Sequence, residues 1–199
     1  MSRCYLDYNA TAPLRPESRA AMLLAMDEVG NPSSVHQEGR AAKMILERAR
    51  EQVAVALCAQ AADIVFTSGA TEAAALALGG QNIHCSEIEH EAVSANCSVD
   101  QTVGRNGTVA VHTAEQSTLQ LANSETGIIQ ALPNGFDASD MTQAFGKIPV
   151  SFDWSGVQMA LVSAHKLGGP KGIGALVLKK GTDISAQLKG GGQEMGRRS

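Results

Sequence analysis

The chain has 199 residues, of which 44% are hydrophobic, 18% are charged and 4% are aromatic. This composition excludes a disordered or collagen-like chain, and the length allows a buried core. The net charge of −4 argues against binding nucleic acid through a basic surface. The sequence contains no run of about 18 apolar residues, so it predicts no membrane span. The four cysteines have no zinc-like spacing and the N-terminus does not resemble a signal peptide, so we expect a cytoplasmic protein with free thiols.

The first part of the chain predicts an extended arm over residues 1–15 and two helices. Apolar residues with helical spacing place the helices over 16–29 and 39–58, separated by a loop rich in helix breakers. We expect Cys58, at the end of the second helix, to be buried as a small hydrophobic residue. The residues of that helix expected to face the core are Met44, Ile45, Val53 and Leu57.

The rest of the chain alternates strand-like runs with helical segments. Residues 63–67 predict a strand, and the Gly-containing turn after them begins a helix. Residues 82–93 predict another strand and helix, and the Gly-rich segment 189–199 predicts a loop. The other strand-like runs are 118–125, 147–154, 160–166 and 173–180. This order predicts an α/β fold with a mostly parallel sheet and helices on both faces.

Two segments could hold a phosphorylated cofactor. Lys166 lies in SAHKLGGPKG (163–172), where it could form a Schiff base beside backbone that a cofactor can approach, or be a surface lysine in a Gly-Pro turn. TSGATE (67–72) could bind a phosphate at the start of a helix, with the Thr71 hydroxyl as a donor. It could equally be an ordinary helix start that Ser68 or Thr71 caps.

Two further segments also allow either a site or a simple helix start. Asp140 could keep a heterocyclic nitrogen protonated and Gln143 could bind a phenolate, or Ser139 or Asp140 could cap a helix. His90, in EHEAV, could stack on an aromatic cofactor or be a solvated histidine at a helix start.

Taken together, these segments resemble the cysteine desulfurases, which belong to the class V branch of the fold-type I enzymes that use pyridoxal 5′-phosphate (PLP). The segments that carry the resemblance are YLDYNATAP (5–13), GNPSSVHQEGR (30–40), TSGATE, EHEAV (89–93), LANSETG (121–127), ASDMTQAFGK (138–147), SAHKLGGPKG and GGGQEMGRRS (190–199). The resemblance implies an N-terminal arm over 1–15 and a PLP-binding large domain over 16–199, with the C-terminal small domain absent.

The resemblance implies roles for the candidate residues. Lys166 would bind PLP covalently and move protons at the substrate α-carbon, and His90 would stack on the pyridine ring. Asp140 would pair with the pyridine nitrogen, and Gln143 would contact the 3-oxygen. The other implied cofactor-binding residues are Ala70, Thr71, Asn123, Ser163 and His165. No metal ligand is implied.

The resemblance implies conversion of L-cysteine to L-alanine, with sulfur passed to an enzyme persulfide for iron–sulfur cluster or thio-cofactor assembly. The implied partners are L-cysteine, a sulfur-acceptor or iron–sulfur scaffold protein and a second copy of the chain, without nucleic acid or membrane. Other class V reactions, by a selenocysteine lyase or an aminotransferase, need the same residues and stay open. A degenerate homologue that binds PLP without turnover also stays open.

The chain departs from the family pattern in several places. The segments on either side of LANSETG are shorter, Ser124 stands where an Asn is usual, and Met141 replaces a usual Ala. The chain ends at Ser199, inside the last motif, and none of its four cysteines lies in a catalytic-loop context. We therefore expect cofactor binding without the complete reaction.

Overall fold

The computed structural model describes residues 3–199, in which strands and short helices follow the two N-terminal helices from residue 62 onward. The α-helices are α1 Pro16–Met26, α2 Gln37–Ala56, α3 Ala70–Leu78, α4 Glu91–Ser94 and α5 Phe152–Ser155. The strands are β1 Ala62–Thr67, β2 His84–Ser86, β3 Ser98–Val103, β4 Val109–Ala110, β5 Ala138–Asp140, β6 Met159–Ser163 and β7 Gly174–Lys179. Short 3₁₀ turns span Ala164–Lys166 and Glu194–Gly196.

The central sheet has the strand order β1-β7-β6-β5. Strands β5 and β6 are parallel, whereas β7 runs antiparallel to both of its neighbours. Strands β2, β3 and β4 form a second group, and bridges at Ser117 and Thr118 connect β2 through this segment to β5. The predicted α/β fold is confirmed, with a sheet that is mixed because of β7.

The core lies on both faces of the sheet, because successive strand residues point to opposite sides. Val65 and Leu176 are buried on the face that α3 covers. Their neighbours Ile64 and Val177 are buried on the other face, in a cluster with Leu57 after the end of α2. Each fully buried side chain of this kind contributes about 1.5–3 kcal/mol to folding.

Three strand ends meet at one edge of the sheet. Thr67, at the end of β1, and Ser163, at the end of β6, both pair with Gly174 at the start of β7. Asp140 lies at the end of β5, opposite Leu161 of β6. The segments that follow these strands are therefore brought together, which is where ligands bind in many α/β folds.

The apolar stripe of α1 and the first half of that of α2 face solvent, whereas Val53, in the second half of α2, packs on the core as predicted. No residue of α1 is buried, and Leu24 is 73% exposed. The prediction for α2 was right for Leu57, which is buried, but wrong for Met44 and Ile45, which are 70% and 41% exposed. The period of a helix identifies its apolar side, but only packing decides whether another element covers that side.

Three local expectations also need correction. Residues 147–154 form turns and the start of α5 instead of a strand, because Phe152 and Asp153 donate their N–H groups to carbonyls at the end of α2. The 118–125 run is buried at its start and at Asn123, and it joins the sheet through single bridges instead of a regular strand. Cys58 is exposed, in a left-handed conformation with φ 47°. Within residues 3–199, no helix has both the length and the apolarity that crossing a bilayer requires.

Candidate active site

A cavity of about 620 Å³ opens at the sheet edge where the three strands end. It gathers residues from the arm, the start of α3, the segment before α4 and the ends of β5 and β6. The predicted site residues that line it are Ala70, Thr71, His90, Asp140, Gln143, Ser163, His165 and Lys166. Segments that are far apart in sequence therefore converge on one site.

Asn123 is the predicted site residue that does not line the cavity. Its side-chain nitrogen donates to the carbonyl of Ile88 at 2.6 Å, and its side-chain oxygen accepts the N–H groups of Glu125 and Thr126. These bonds hold the turn after residue 122. Gln120 and Ser124, which flank this position, line the cavity instead.

The start of α3 forms one wall of the cavity. Its N-cap residue is Gly69, and no side chain within the described residues caps its first turn. The ordinary cap by Ser68 or Thr71 is therefore not formed; the Ser68 N–H donates instead to the Glu72 carboxylate at 2.6 Å. The uncapped N–H groups and the helix dipole favour an anion at this wall.

Lys166 lies in the 3₁₀ turn directly after β6, where the N-terminal arm covers it. Its ammonium donates to the carbonyl of Asn9 at 2.7 Å, and the Gln143 side chain donates to the same carbonyl at 3.0 Å. Thr11 fastens the arm through a 3.1 Å bond to the ring of His165. Lys166 is thus held in the cavity wall, unlike the surface lysine of a simple turn.

Asp140 accepts the N–H of Thr142 at 2.8 Å. Burial raises the pKa of its carboxyl, although the Thr142 bonds and the charges of His90 and Lys166 act in the opposite direction. Raising the pKa means that the free carboxylate is unfavourable here. A cation bound beside Asp140 would therefore be stabilised.

Glu89 is a second buried acid that the sequence analysis did not single out. It accepts the N–H of Gln120 at 2.8 Å and is 6% exposed. Burial and the negative charge of Asp140 raise its pKa well above the usual value. The signal was available in EHEAV, where a glutamate directly precedes His90.

Lys147 and Asn9 were also missed. Lys147 donates to the side-chain oxygen of Gln143. Because an ammonium only donates, this contact fixes the side-chain oxygen of Gln143 as the acceptor and leaves its nitrogen to donate to the Asn9 carbonyl. The spacing of four residues between Gln143 and Lys147 was a usable signal, whereas nothing local predicts the contact with Asn9.

The cationic groups of the site influence one another. Burial and the charge of Lys166 lower the pKa of Lys147. Burial and the charges of Lys166, Lys171 and Lys147 lower the pKa of His165. The imidazole of His165 is therefore neutral at physiological pH, beside lysines that attract an anionic ligand.

Comparison with known proteins identifies the family. The sequence model of the family described as Aminotransferase class-V matches residues 4–198. The chain belongs to the class-V aminotransferases. The family match therefore covers the segments that form the cavity.

Among class-V relatives, the chain is 37% identical to a protein named cysteine desulfurase IscS from Dictyoglomus turgidum, over 98% of this chain and 59% of the relative. A NifS-like protein from Rickettsia africae has a similar solved structure, with TM-score 0.86 and 32% identity over 98% of this chain and 63% of that chain. A structure described as SspA in complex with cysteine matches with TM-score 0.85 and 28% identity, over 98% of this chain and 67% of that chain.

The class-V chain described here spans about 60% of the length of the curated relatives it matches. The alignment to the Dictyoglomus protein runs over 231 residues, whereas this chain has 199. At least 32 aligned positions of the Dictyoglomus protein therefore have no counterpart in this chain.

Proposed function

We propose that this chain binds PLP and contributes the cofactor site of a cysteine desulfurase. The observation that carries the proposal is the convergence on one cavity of a lysine bonded to the arm, a half-buried acid and an uncapped helix start. Lys166, Asp140 and Thr71 supply the three chemistries that an aldehyde, a ring nitrogen and a phosphate require.

The donor set fits PLP at each of its polar groups. The start of α3 with Thr71, Ser163 and His165 would hold the phosphate, and Asp140 would pair with the ring nitrogen. Gln143 lines the cavity, and the second hydrogen of its side-chain nitrogen, beside the one donated to Asn9, would contact the 3-oxygen. Asn123 has its side-chain amide bonded within its own turn, so its proposed contribution is to hold the wall that Gln120 and Ser124 form.

The chain's own residues would then divide the work. Bound PLP supplies an electron sink for charge at the substrate α-carbon. Lys166 would hold or move the proton at that carbon, while Asp140 keeps the ring nitrogen protonated. His90, whose Nδ1 accepts the N–H of Ala92 at 3.0 Å, has its ring fixed at the cavity wall, as stacking on the cofactor requires.

L-Cysteine is the proposed substrate and L-alanine the proposed product. The proposal is supported by relatives named cysteine desulfurase and by the similar structure described as a complex with cysteine. Within residues 3–199, none of the four cysteines lines the cavity. We therefore place the sulfur-accepting thiol outside this cavity, on another segment or on an acceptor or scaffold protein.

The test is an assay with L-cysteine on the PLP-treated protein, with dithiothreitol as the sulfur acceptor. A desulfurase produces alanine and sulfide in equal amounts, and Lys166→Ala abolishes both products. Binding of PLP without either product would favour the second candidate, a homologue that holds PLP without turnover. The observation that favours this candidate is that no cysteine of residues 3–199 lines the cavity. Absence of PLP binding would contradict both candidates.

A further inference from the structure

The segment 194–198 is fastened along β1 and the start of α3 by three ion pairs. Glu194 accepts two hydrogen bonds from Arg50, at 2.8 and 3.0 Å, and the N–H of Phe66 at 2.7 Å. Arg197 donates to Asp63 at 2.8 Å. Arg198 donates to Glu72 at 2.6 and 3.3 Å. The sequence predicted only a loop here, so these contacts assign the segment an unexpected position.

The Arg198–Glu72 pair differs from the other two because it reaches the cavity. The Glu72 carboxylate accepts the N–H of Ser68 at 2.6 Å. The loop from Ser68 to Thr71 lines the cavity. Glu72 does not line it, but its hydrogen bond fixes Ser68, the first residue of that loop. Partial burial raises the pKa of Glu72, but the bonds from Arg198 and Ser68 outweigh it and lower the pKa to about 2.

An ionised glutamate in the first turn of α3 is a disadvantage for an anion-binding helix start. Its negative charge interacts favourably with the helix dipole, yet it repels a phosphate dianion bound at the same end of the helix. Arg198 offsets that charge through two hydrogen bonds, and both side chains are largely shielded, with 31% and 19% of their surfaces exposed. Screening by water is correspondingly weaker than for a surface pair.

We propose that Arg198 is a positioning residue for the phosphate of the cofactor. It acts through Glu72: it neutralises the carboxylate and fixes the geometry in which Glu72 holds Ser68. This inference rests on the proposed function, because it takes the anion at α3 to be the phosphate of PLP. It predicts that Arg198 sets the preference of the site for a phosphorylated over an unphosphorylated pyridoxal.

The experiment compares the affinities of PLP and pyridoxal, followed by the absorbance of the Lys166-bound ligand. Arg198→Gln should weaken PLP binding about tenfold, the scale of one charge-assisted contact, and leave pyridoxal affinity unchanged. Arg197→Gln is the matched control, because it removes a neighbouring ion pair of the same segment at Asp63, the second residue of β1, and should change neither affinity.

A double variant separates charge from general docking of the segment. In Glu72→Gln/Arg198→Gln the repelling charge is gone and the amide oxygen can still accept the Ser68 N–H. PLP affinity should therefore recover above that of Arg198→Gln. Thermal unfolding of each variant identifies any that fails to fold.

Three results would overturn the inference: equal losses for PLP and pyridoxal, an equal loss in Arg197→Gln, or no recovery in the double variant. If the unsubstituted chain binds neither ligand, the proposed function fails and the inference falls with it. That result is distinct from a chain that binds both ligands but shows no dependence on Arg198.

Discussion

At the scale of single residues, the site is shaped by two acids that form no direct ion pair within residues 3–199. Asp140 and Glu89 lie near each other, and burial raises the pKa of each. The protein tolerates this cost because the fold holds both groups through backbone N–H donors, from Thr142 and Gln120. Such strained electrostatics are typical of functional sites, and a pyridinium beside Asp140 would relieve them.

The first prediction concerns the pH dependence that Glu89 creates. Because its folded pKa is raised, the stability associated with it is retained at low pH and lost as pH rises above the unfolded carboxyl value toward the folded one. Glu89→Gln should therefore stabilise the cofactor-free protein at pH 8, by on the order of 1 kcal/mol or more, and have little effect near pH 4. Urea unfolding across this range measures the difference.

The exposed Glu87→Gln, two residues earlier, serves as the control for the Glu89 substitution. It should change the free energy of unfolding by a small amount that stays nearly the same at every pH, because Glu89 is still present. A Glu89→Gln effect that does not grow with pH would show that Glu89 is not a strained acid in the folded state.

At the scale of elements, the wall proposed to bind phosphate depends on the close approach of Gly69, the N-cap residue of α3, to the sheet. A side-chain carbon on Gly174 would lie 2.7 Å from the Cα of Gly69 and 2.7 Å from the carbonyl of Val162. Neither backbone atom can move without shifting β6 or the loop. The absence of a side chain at Gly174 thus allows the loop before α3 to pack against the ends of β1 and β6, at Thr67 and Ser163.

The second prediction is that Gly174→Ala both destabilises the fold and displaces the phosphate loop. Overpacking of this kind typically costs 1–3 kcal/mol, so roughly that loss is expected in urea unfolding, together with weaker binding of PLP. Gly191→Ala is a suitable control, because its new carbon would meet only the movable side chain of Gln193. Unchanged stability and PLP affinity in Gly174→Ala would contradict this account of the wall.

Elements with strong local signals were predictable from the sequence, and those fixed by distant contacts were not. The strand before TSGATE and the helix after it follow from local patterning, and the structure forms both as β1 and α3. The docking of the 189–199 segment was not predictable, since it depends on ion pairs with residues over 120 positions away. The contact of Asn9 with Lys166 was not predictable either, because it joins the N-terminal arm to a turn 157 positions later in the chain.

The side chain of Asn123 illustrates a different limit. The motif around it suggested contact with a cofactor, but its amide closes a local turn instead. An Asn side chain commonly competes for nearby backbone groups, and sequence spacing alone does not distinguish that use from ligand binding. That Gln120 lines the cavity could be recognised only from the three-dimensional structure.

At the scale of the whole molecule, exposed apolar side chains are concentrated in α1, the loop after it and the first half of α2, which together we call the apolar surface. Its large exposed side chains are Leu23, Leu24, Met26, Val29, Val35, Met44 and Ile45. Exposed apolar surface of this extent usually marks an interface. We propose that it forms the interface of the homodimer that the family resemblance implies.

The third prediction tests that proposal by changing the apolar surface. The chain should sediment as a dimer, and Leu24→Asp/Met44→Asp should shift it to monomer without loss of folding, because both side chains are about 70% exposed within one chain. Ile129→Asp, at an exposed apolar position outside this surface, should leave the dimer intact. Sedimentation velocity over a range of concentrations measures the equilibrium, and a monomer at all concentrations would contradict the proposal.

The central claim is that Lys166 is the lysine that binds PLP. The most direct measurement is reduction of the PLP-treated protein with borohydride, followed by peptide mass spectrometry. Three lysines line or adjoin the cavity, at positions 147, 166 and 171, so the assignment is specific. We expect the pyridoxyl group on Lys166 and its loss in Lys166→Ala, whereas modification centred on Lys147 or Lys171, or no modification, would contradict the account.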